Sequence, residues 1–301
     1  MKIVTINEND SGQRVDKFLS KYLPNMPKSL LYKQLRKKRI KRNKKALAAQ
    51  DILCAGDELY LYINDEFFEE KEAPKGDFSG LSVIYEDENV LIANKPAGVS
   101  SHGGEDSILA QIQSYLYHTG AYNPKDEHSF TPALSNRLDK NTAGLILATK
   151  NAAAQRELNE KIKAGEVTKQ YLCLAHGTFK EKEGQLENWL YISPDENRVF
   201  VASKEKEGAK EAKLIYRVLE QQKDRALLEV TLLSGRKHQI RVQLAHAGHP
   251  LVGDRKYGAP KDEKFAYQAL CAYRITFNFT SETKVLTALA GKIFTIQNPW
   301  K

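Results

Sequence analysis

Hydrophobic and polar positions follow two different patterns along the chain. Up to about residue 64, apolar positions recur at helical spacing in residues 13–23 and 25–40, while residues 2–6 and 55–63 show the short alternation of β-strands. This arrangement predicts two short helices packed on a small β-sheet, in a unit that ends near Asn64.

Beyond residue 81 the apolar positions indicate mainly strands. They predict β-strands at residues 81–85, 90–94, 144–149, 169–177, 199–203, 213–220, 226–233 and 273–279. Helical spacing interrupts these strands at residues 107–118, 151–163 and 238–248. Because charged turns join many of the strands, we expect an α+β fold: a mostly antiparallel, mixed β-sheet with flanking helices and a central cleft.

The stretch between these two parts is acidic and contains proline and glycine. We interpret residues 65–80 as a linker. The predicted organisation is therefore a small α+β domain over residues 1–64, the linker, and a large domain over residues 81–301.

Composition argues against several classes of protein. The 301 residues contain no apolar run close to eighteen residues, and the N-terminal residues lack the apolar core of a secretory signal. We therefore expect no membrane span and no signal peptide. The three cysteines are far apart and lack metal-ligand spacing, which favours a cytoplasmic location.

The net charge of +8 is concentrated in one region. Residues 17–50 contain twelve Lys or Arg and no Asp or Glu, which leaves 34 basic and 38 acidic residues elsewhere. A local field of this kind suits a polyanion such as RNA. Lys33, Arg36 and Lys37 lie largely away from the apolar stripe of their predicted helix and, with Arg42, are candidate RNA contacts. The alternative is a basic helix face that is merely solvated.

Four polar segments lie where predicted strands begin or end. They are residues 93–104, 136–144, 168–177 and 232–258. Loops at the ends of strands often carry the functional residues of a rigid scaffold. The chemistry of the large domain is therefore expected in these four segments.

Asp139 lies in the second segment, between Arg137 and Lys140. Its carboxylate is suited to act as a nucleophile or general base, although a single Asp in a loop is more often a turn or capping residue.

In the fourth segment, Arg241 lies at the edge of the apolar face of its predicted helix, where an unpaired guanidinium would be costly. Asp139 and Asp254 are both candidate partners for it.

The third segment contains a predicted strand whose alternation places Tyr171 and Cys173 on one face. A tyrosine in a strand usually belongs to the core. Beside an Asp and an Arg, however, its ring is also suited to stack on a planar base.

Metal and cofactor chemistry has little support. His238, His246 and His249 suggest a metal site, but no nearby cysteine and no HExxH pattern accompanies them. The chain has no phosphate-binding loop, dinucleotide fingerprint or nucleophile elbow. We expect no metal and no organic cofactor.

The four segments resemble, in sequence and in order, the motifs of RluA-type pseudouridine synthases. NRLDKNTAGLILATK, KQYLCLAHG and GRKHQIRVQLAHAGHPLVGD are similar to three blocks of that family, and ANKPAGVSSHGG is similar to its opening block. The N-terminal QRVDKFL, KSLLYKQLRKKRIKRN and GDELYLYI resemble an S4 RNA-binding domain, which often precedes this catalytic domain.

The resemblance implies isomerisation of a uridine in structured RNA, with a C–C bond replacing the N-glycosidic bond and no cofactor. By block position, Asp139 is the catalytic aspartate, Arg241 its ion-pair partner, and Tyr171 the residue that stacks on the target base and helps to remove its C5 proton. Arg137 corresponds to the arginine that enters the RNA in place of the flipped base. Four further block positions expected at the RNA are Lys95, Lys169, His238 and Gln239.

Two positions depart from the family pattern and put the anchoring of the loop in question. Asn136 stands where many members have His, and Ala143 where many have Ser. The resemblance favours large-subunit ribosomal RNA as the partner of a monomeric, cytoplasmic enzyme.

Three alternatives remain open: a transfer RNA target, an inactive RNA-binding or ribosome-assembly factor, and a carboxylate-dependent glycosidase or nuclease. The presence of Asp139, Tyr171 and Arg241 argues against an inactive protein. The scarcity of carboxylates in the four segments argues against a metal-dependent nuclease.

Overall fold

The computed structural model describes residues 1–69, 71–262 and 264–300, so Glu70, Glu263 and Lys301 lie outside the described residues. The helices are α1 (Val15–Tyr22), α2 (Lys28–Arg36), α3 (Ile108–His118), α4 (Ala152–Lys163) and α5 (Gln239–His246). The strands are β1 (Lys2–Thr5), β2 (Ile40–Arg42), β3 (Lys45–Ala46), β4 (Glu58–Leu61), β5 (Ser82–Glu86), β6 (Val90–Lys95), β7 (Ala133–Leu134), β8 (Ala143–Thr149), β9 (Val167–His176), β10 (Glu183–Ser193), β11 (Arg198–Ala202), β12 (Lys210–Gln221), β13 (Arg225–Leu232), β14 (Leu270–Phe277) and β15 (Ile293–Thr295).

The first four strands form an antiparallel sheet in the order β1–β4–β2–β3. Helices α1 and α2 pack on it through Phe18, Leu19 and Leu31, each at most 1% exposed. Burying a side chain of this size contributes about 1.5–3 kcal/mol. The two predicted helices and the small sheet are therefore present.

Helix α2 is shorter than the prediction. It ends at Arg36, not near Ile40, because Lys38 has a left-handed backbone conformation (φ 56°) through which a right-handed helix does not continue. Ile40 starts β2 instead and is fully buried. Phe67 and Phe68, from the predicted linker, pack against the same core.

The remaining strands form one large sheet in the order β11–β10–β12–β13–β9–β14–β8–β6–β5, with β7 paired to β8 and β15 to β14. Neighbours are antiparallel except for the parallel pair β8 and β14. The expected mostly antiparallel, mixed sheet is confirmed.

Strand β10 is missing from the predicted set. Gly184 and the consecutive polar residues Glu187 and Asn188 interrupt its apolar pattern. In the structure it pairs with β12 from Glu183 to Leu190 and also with β11. Its neighbours therefore order this strand more than its own hydrophobicity does.

Three helices cover the large sheet. Helix α3 packs on one face of β6 and β8, and α4 packs on the opposite face. The side chains of Ser107 and Asn151 cap their N-termini by accepting hydrogen bonds from the backbone N–H of Ala110 and Ala154. Helix α5 lies over β9 and β13 at the centre of the sheet. Within the described ranges, none of the helices has both the length and the apolar character needed to cross a membrane.

Gly144 is required where β8 meets β14. It has a φ of +120°, and a Cβ at this position would overlap the backbone of Ala272. We expect Gly144→Ala to lower the free energy of unfolding by about 3 kcal/mol or more, because it combines backbone strain with overpacking. Urea denaturation of the variant would measure this loss.

The matched control is Gly80→Ala, because a Cβ on Gly80 would have nothing within 4 Å. It is expected to leave the urea midpoint nearly unchanged. Equal stability of the two variants would contradict the assignment of a close backbone contact at Gly144.

Hydrogen bonds tie the N-terminal unit to the connection between α3 and β7 of the large domain, at a place that we call the junction, formed by residues 9–13 and 127–129. The fully buried Asp10 accepts bonds from the backbone N–H (3.0 Å) and hydroxyl (2.6 Å) of Ser129 through one carboxylate oxygen. Gln13 donates to the same hydroxyl at 2.7 Å, and Asn9 donates to Glu127 at 2.6 Å. The two parts are therefore in direct polar contact, not joined only through the predicted linker.

Candidate active site

The turn that carries Asp139 lies just before β8, and the opening block of the large domain holds its backbone. Ser101, 6% exposed, donates from its hydroxyl to the carbonyl of Leu138 (2.6 Å) and accepts from the N–H of Leu138 (3.0 Å). Ser101 thus fixes the residue directly before Asp139. The sequence analysis did not single it out, although it lies in one of the four segments.

Lys95 fixes the residue on the other side. Its side chain is fully buried, and its ammonium donates to the carbonyls of Pro96, Val99 and Lys140 at 2.7–3.0 Å. The N–H of Gly98 also donates to the carbonyl of Lys140 (3.0 Å). Burial lowers the pKa of Lys95 to about 8, and the charge of Asp139 offsets part of that effect.

The expectation that Lys95 contacts RNA is wrong for this structure. An ammonium with no exposed surface and three carbonyl acceptors has no free direction for a phosphate. The same holds for Gln239, 2% exposed, which accepts from Ser234 (2.9 Å) and Arg236 (3.0 Å) and donates to the carbonyl of Lys213 (3.0 Å). Both side chains position loops of the cleft.

Arg241 joins two carboxylates, so the two candidate partners are both used. Its Nε and Nη2 donate to the two oxygens of Asp254 at 2.7 and 2.8 Å, and its Nη1 donates to Oδ2 of Asp139 at 2.9 Å. The forked, two-bond geometry therefore belongs to Asp254, which is 2% exposed, and Asp139 receives one bond.

Arg241 is itself 6% exposed. Burial opposes its charge, but the hydrogen bonds and charges of Asp254, and then of Asp139, raise the pKa of Arg241 above its ordinary value. Among the described residues, no hydrogen bond reaches Oδ1 of Asp139. The carboxylate is thus held by one oxygen and open at the other.

His238 is the second group beside Asp139. Its Nε2 lies 3.7 Å from Oδ2 of Asp139, and its Nδ1 is 2.8 Å from the hydroxyl of Tyr257. Burial, together with the charge of Arg241, lowers the pKa of His238 to about 4, despite the opposing effect of Asp139. His238 is therefore a neutral imidazole near pH 7.

Tyr171 lies in the middle of β9, the strand next to β14, and is 7% exposed. It lines two of the three cavities that Asp139 lines. Burial, and secondarily the charge of Asp139, raises the pKa of the Tyr171 hydroxyl well above its ordinary value. The ring is therefore presented as a neutral, apolar surface beside the carboxylate.

Cavities of about 510, 820 and 60 Å³ meet at the turn and share four lining residues: Arg137, Leu138, Asp139 and His238. Together they form the expected central cleft. Arg137 is exposed at its mouth, and Lys169 lines the largest cavity, where burial lowers its pKa.

The cleft is strongly basic. Among the described residues that line the 510 Å³ cavity, Asp139 is the one carboxylate, against six cations: Arg137, Lys140, Lys237, Arg241, Arg255 and Lys256. Such a surface attracts a polyanion and concentrates it around a single carboxylate. The residues described contain no group of three or more His, Cys, Asp or Glu that could hold a metal ion.

The structure shows the contacts of Asn136 and Ala143, the two residues that depart from the family pattern. Asn136 accepts from the backbone N–H of Leu147 (2.7 Å) and lies 3.4 Å from the carbonyl of Leu145, so its amide anchors the loop to β8. Ala143 pairs with Cys271 where β8 meets β14. The loop therefore has an anchor although Asn136 replaces the more common His.

The basic residues of the N-terminal unit that are predicted to contact RNA differ in solvent exposure and in their contacts within the protein. Lys33 and Arg36 in the last turn of α2, and Lys37 directly after it, are exposed. Arg42 is partly engaged, because it donates to the carbonyl of Ile52 (2.8 Å) and lies 3.6 Å from Asp57.

A basic cleft with one described carboxylate, an arginine held by two carboxylates and a tyrosine ring is suited to an enzyme that acts on a planar group within a polyanion. Comparison with known families agrees: residues 89–246 match the model described as RNA pseudouridylate synthase. The chain belongs to this family, and it is an RNA pseudouridine synthase, an isomerase.

Curated relatives match over almost the whole chain. Ribosomal large subunit pseudouridine synthase C of Escherichia coli (strain K12) is 30% identical over 306 residues, covering 99% of this chain and 93% of that protein. The protein of the same name from Buchnera aphidicola subsp. Schizaphis graminum (strain Sg) is 31% identical over 264 residues, covering 86% of this chain and 81% of that protein.

Two solved human structures share the fold. Human RNA Pseudouridylate Synthase Domain Containing 1 aligns with a TM-score of 0.55 at 21% identity, covering 77% of this chain and 94% of that one. Human RNA Pseudouridylate Synthase Domain Containing 4 aligns with a TM-score of 0.56 at 20% identity, covering 72% of this chain and 88% of that one.

Proposed function

We propose that this protein is a cytoplasmic, monomeric enzyme that converts uridine to pseudouridine in large-subunit ribosomal RNA, with Asp139 as its catalytic residue. The observation that carries the assignment to Asp139 is its position as the one carboxylate among the described residues that line a basic cavity, held at Oδ2 and open at Oδ1. The relatives named above, which act on the ribosomal large subunit, support the choice of RNA.

Isomerisation of uridine requires one nucleophile or base beside the ribose or the uracil. The bond between C1′ and N1 breaks, the uracil turns, and a bond forms between C1′ and C5; C5 then loses its proton, and N1, no longer bonded to the ribose, gains one. Asp139 attacks or deprotonates the nucleoside through Oδ1 while Arg241 holds Oδ2. Because the pKa of Tyr171 is raised, its ring is better suited to stack on the uracil than to act as a phenolate base.

The target base must leave its stack before Asp139 can reach it, which costs a few kcal/mol. Arg137 is exposed between the cavities and is the residue we assign to fill the gap left in the RNA. Lys169 and the cations of the cleft contact phosphate and hold the strand in register.

The experiment uses unmodified transcripts of large-subunit ribosomal RNA and of transfer RNA. After incubation with the protein, pseudouridines are mapped by carbodiimide modification and reverse transcription. We expect defined sites in the ribosomal transcript and none in transfer RNA. Modification of transfer RNA alone would replace the proposed target, and no pseudouridine in either transcript would contradict the catalytic assignment.

We further propose that residues 1–64 act as an S4-like domain that contributes RNA affinity through α2. Replacing Lys33, Arg36 and Lys37 together with Gln is expected to weaken binding and to flatten its log–log salt dependence by about two to three. The reason is that each phosphate contact releases about one counterion. Filter binding at several salt concentrations measures both quantities.

Substitution is a cleaner test than deletion of the domain, because deletion would strip Ser129 of the partners it has at the junction. The control carries the same charge change on exposed lysines outside the cleft: Lys180, Lys182 and Lys223 replaced with Gln. An equal change of slope in both variants would show that α2 has no special part in binding.

A further inference from the structure

The hydroxyl of Tyr257 determines which ring nitrogen of His238 carries the proton. Tyr257 is 6% exposed, and its oxygen already accepts a hydrogen bond from the backbone N–H of Val199 (3.1 Å). Among the described residues, its remaining neighbour at hydrogen-bond distance is Nδ1 of His238, 2.8 Å away. Because the hydroxyl proton has no other acceptor at hydrogen-bond distance among the described residues, we assign it to Nδ1, which is then the unprotonated nitrogen of a neutral ring.

The neutral ring then carries its proton on Nε2, the atom that faces Asp139. The distance of 3.7 Å from Nε2 to Oδ2 is too long for a hydrogen bond in the free enzyme. Catalytic contacts are often long before substrate binds and shorten in the complex.

The backbone around His238 is built to hold this pose. His238 has a left-handed conformation (φ 53°) directly before α5, which is uncommon for a residue other than glycine. Residues 254–258 form a short turn that ends at Gly258 (φ 91°). That turn supplies Asp254 to Arg241 and Tyr257 to His238, so one loop orients both groups beside Asp139.

We propose that His238 is a positioning residue of the isomerisation: the Tyr257 hydroxyl holds it as the neutral, Nε2-protonated tautomer, and it donates to Oδ2 of Asp139 in the loaded enzyme so that Oδ1 stays turned toward the nucleoside. The inference rests on the proposed role of Asp139. Arg241 supplies the charge at Oδ2, and His238 supplies a second, uncharged bond that fixes the rotation of the carboxylate.

Charge explains why a neutral donor serves better here than a cation. The groups that face His238 are Asp139 before β8, Arg241 on α5, Lys237 beside it, and Lys256 and Tyr257 in the 254–258 turn. A protonated imidazole would add a further positive charge among three cations. It would also pair with Asp139 more tightly and reduce the nucleophilicity of the carboxylate.

Two measurements test the proposal. The first is long-range ¹H–¹⁵N NMR of the histidine rings in the free protein, with the His238 signals assigned from their loss in His238→Asn. Asparagine is chosen because it tolerates a positive φ. We expect a neutral, Nε2-protonated ring from pH 5.5 to 8. An Nδ1-protonated ring or a cation at pH 7 would overturn the proposal whether or not the protein proves to be a synthase.

The second measurement is the pH–rate profile of Tyr257→Phe, followed by tritium release from RNA labelled at C5 of uridine. Without the hydroxyl donor, protonation of His238 becomes easier, so the acid limb of the kcat profile should move to higher pH by about one unit, with little change in KM. A purely structural role for the hydroxyl would lower the Tm and leave the profile unmoved, which would overturn the proposal.

The control for this variant is Tyr115→Phe. It removes a different tyrosine hydroxyl, which lies away from the cleft and donates to the carboxylate of Glu86 at 2.9 Å. It is expected to leave the profile unchanged. If the wild-type protein makes no pseudouridine at all, the proposed function fails while the tautomer measurement still stands by itself. An identical shift of the profile in both tyrosine variants would overturn the assignment to Tyr257.

Discussion

Asp139→Asn is expected to lower the rate of pseudouridine formation by about 10³-fold or more, while the protein folds and binds RNA as before. The amide has the shape of the carboxylate and its oxygen can still accept the bond from Nη1 of Arg241. What it lacks is the negative oxygen that attacks or deprotonates the nucleoside. Tritium release measures turnover, and a gel-shift titration measures binding.

A matched control separates this effect from a general change in charge. Asp224→Asn makes the same chemical change at an exposed carboxylate in the turn between β12 and β13. It should keep full activity. Appreciable turnover by the Asp139 variant would remove Asp139 from the mechanism, and loss of RNA binding would show that the site had collapsed.

Arg241→Lys is expected to reduce activity severely and to destabilise the protein, with Arg241→Ala worse in stability. A lysine has one ammonium and cannot reproduce two bonds to Asp254 together with one to Asp139. Removing one partner from a buried pair costs about 3–5 kcal/mol, because Asp254 is left buried without its fork. Urea denaturation and tritium release give the two readouts.

Asp254→Asn is the informative companion variant. It leaves Arg241 in place with its bond to Asp139, so it should lower stability while retaining more activity than Arg241→Ala. A near-normal rate in Arg241→Lys would show that the guanidinium is not needed at Asp139. Equal activity in Asp254→Asn and Arg241→Ala would show that the bond from Arg241 to Asp139 does not preserve activity once Asp254 is changed.

Sequence patterns predict those features of this fold that depend on local periodicity. The strands around Tyr171, the helix of Arg241, and strands β1 and β4 of the N-terminal sheet follow from apolar spacing. Strand β10 does not, because its order comes from pairing with β11 and β12. The end of α2 depends on the backbone of Lys38, which no apolar pattern encodes.

The site shows the same division. The cost of an unpaired buried charge predicts a carboxylate partner for Arg241, with Asp139, 102 positions away, as one of two candidates. The bonds of Ser101 to Leu138 and of Tyr257 to His238 depend on which loops meet at the centre of the sheet. Periodicity identifies the faces of strands but not their order, so these contacts and the burial of Lys95 could not be predicted.

The junction limits how far the basic face of α2 can move from the carboxylate of Asp139. Residues 127–129 lead within a few positions into β7, which pairs with β8 behind the turn of Asp139, so the basic face of α2 and the reactive carboxylate are connected by hydrogen-bonded structure. A free tether of about sixteen residues would instead let the two wander by roughly 20–25 Å. With the proposed role of α2 in RNA binding, we expect uridines to be selected by their distance from a neighbouring RNA element, because RNA that cannot meet both sites at once loses the gain of a second attachment.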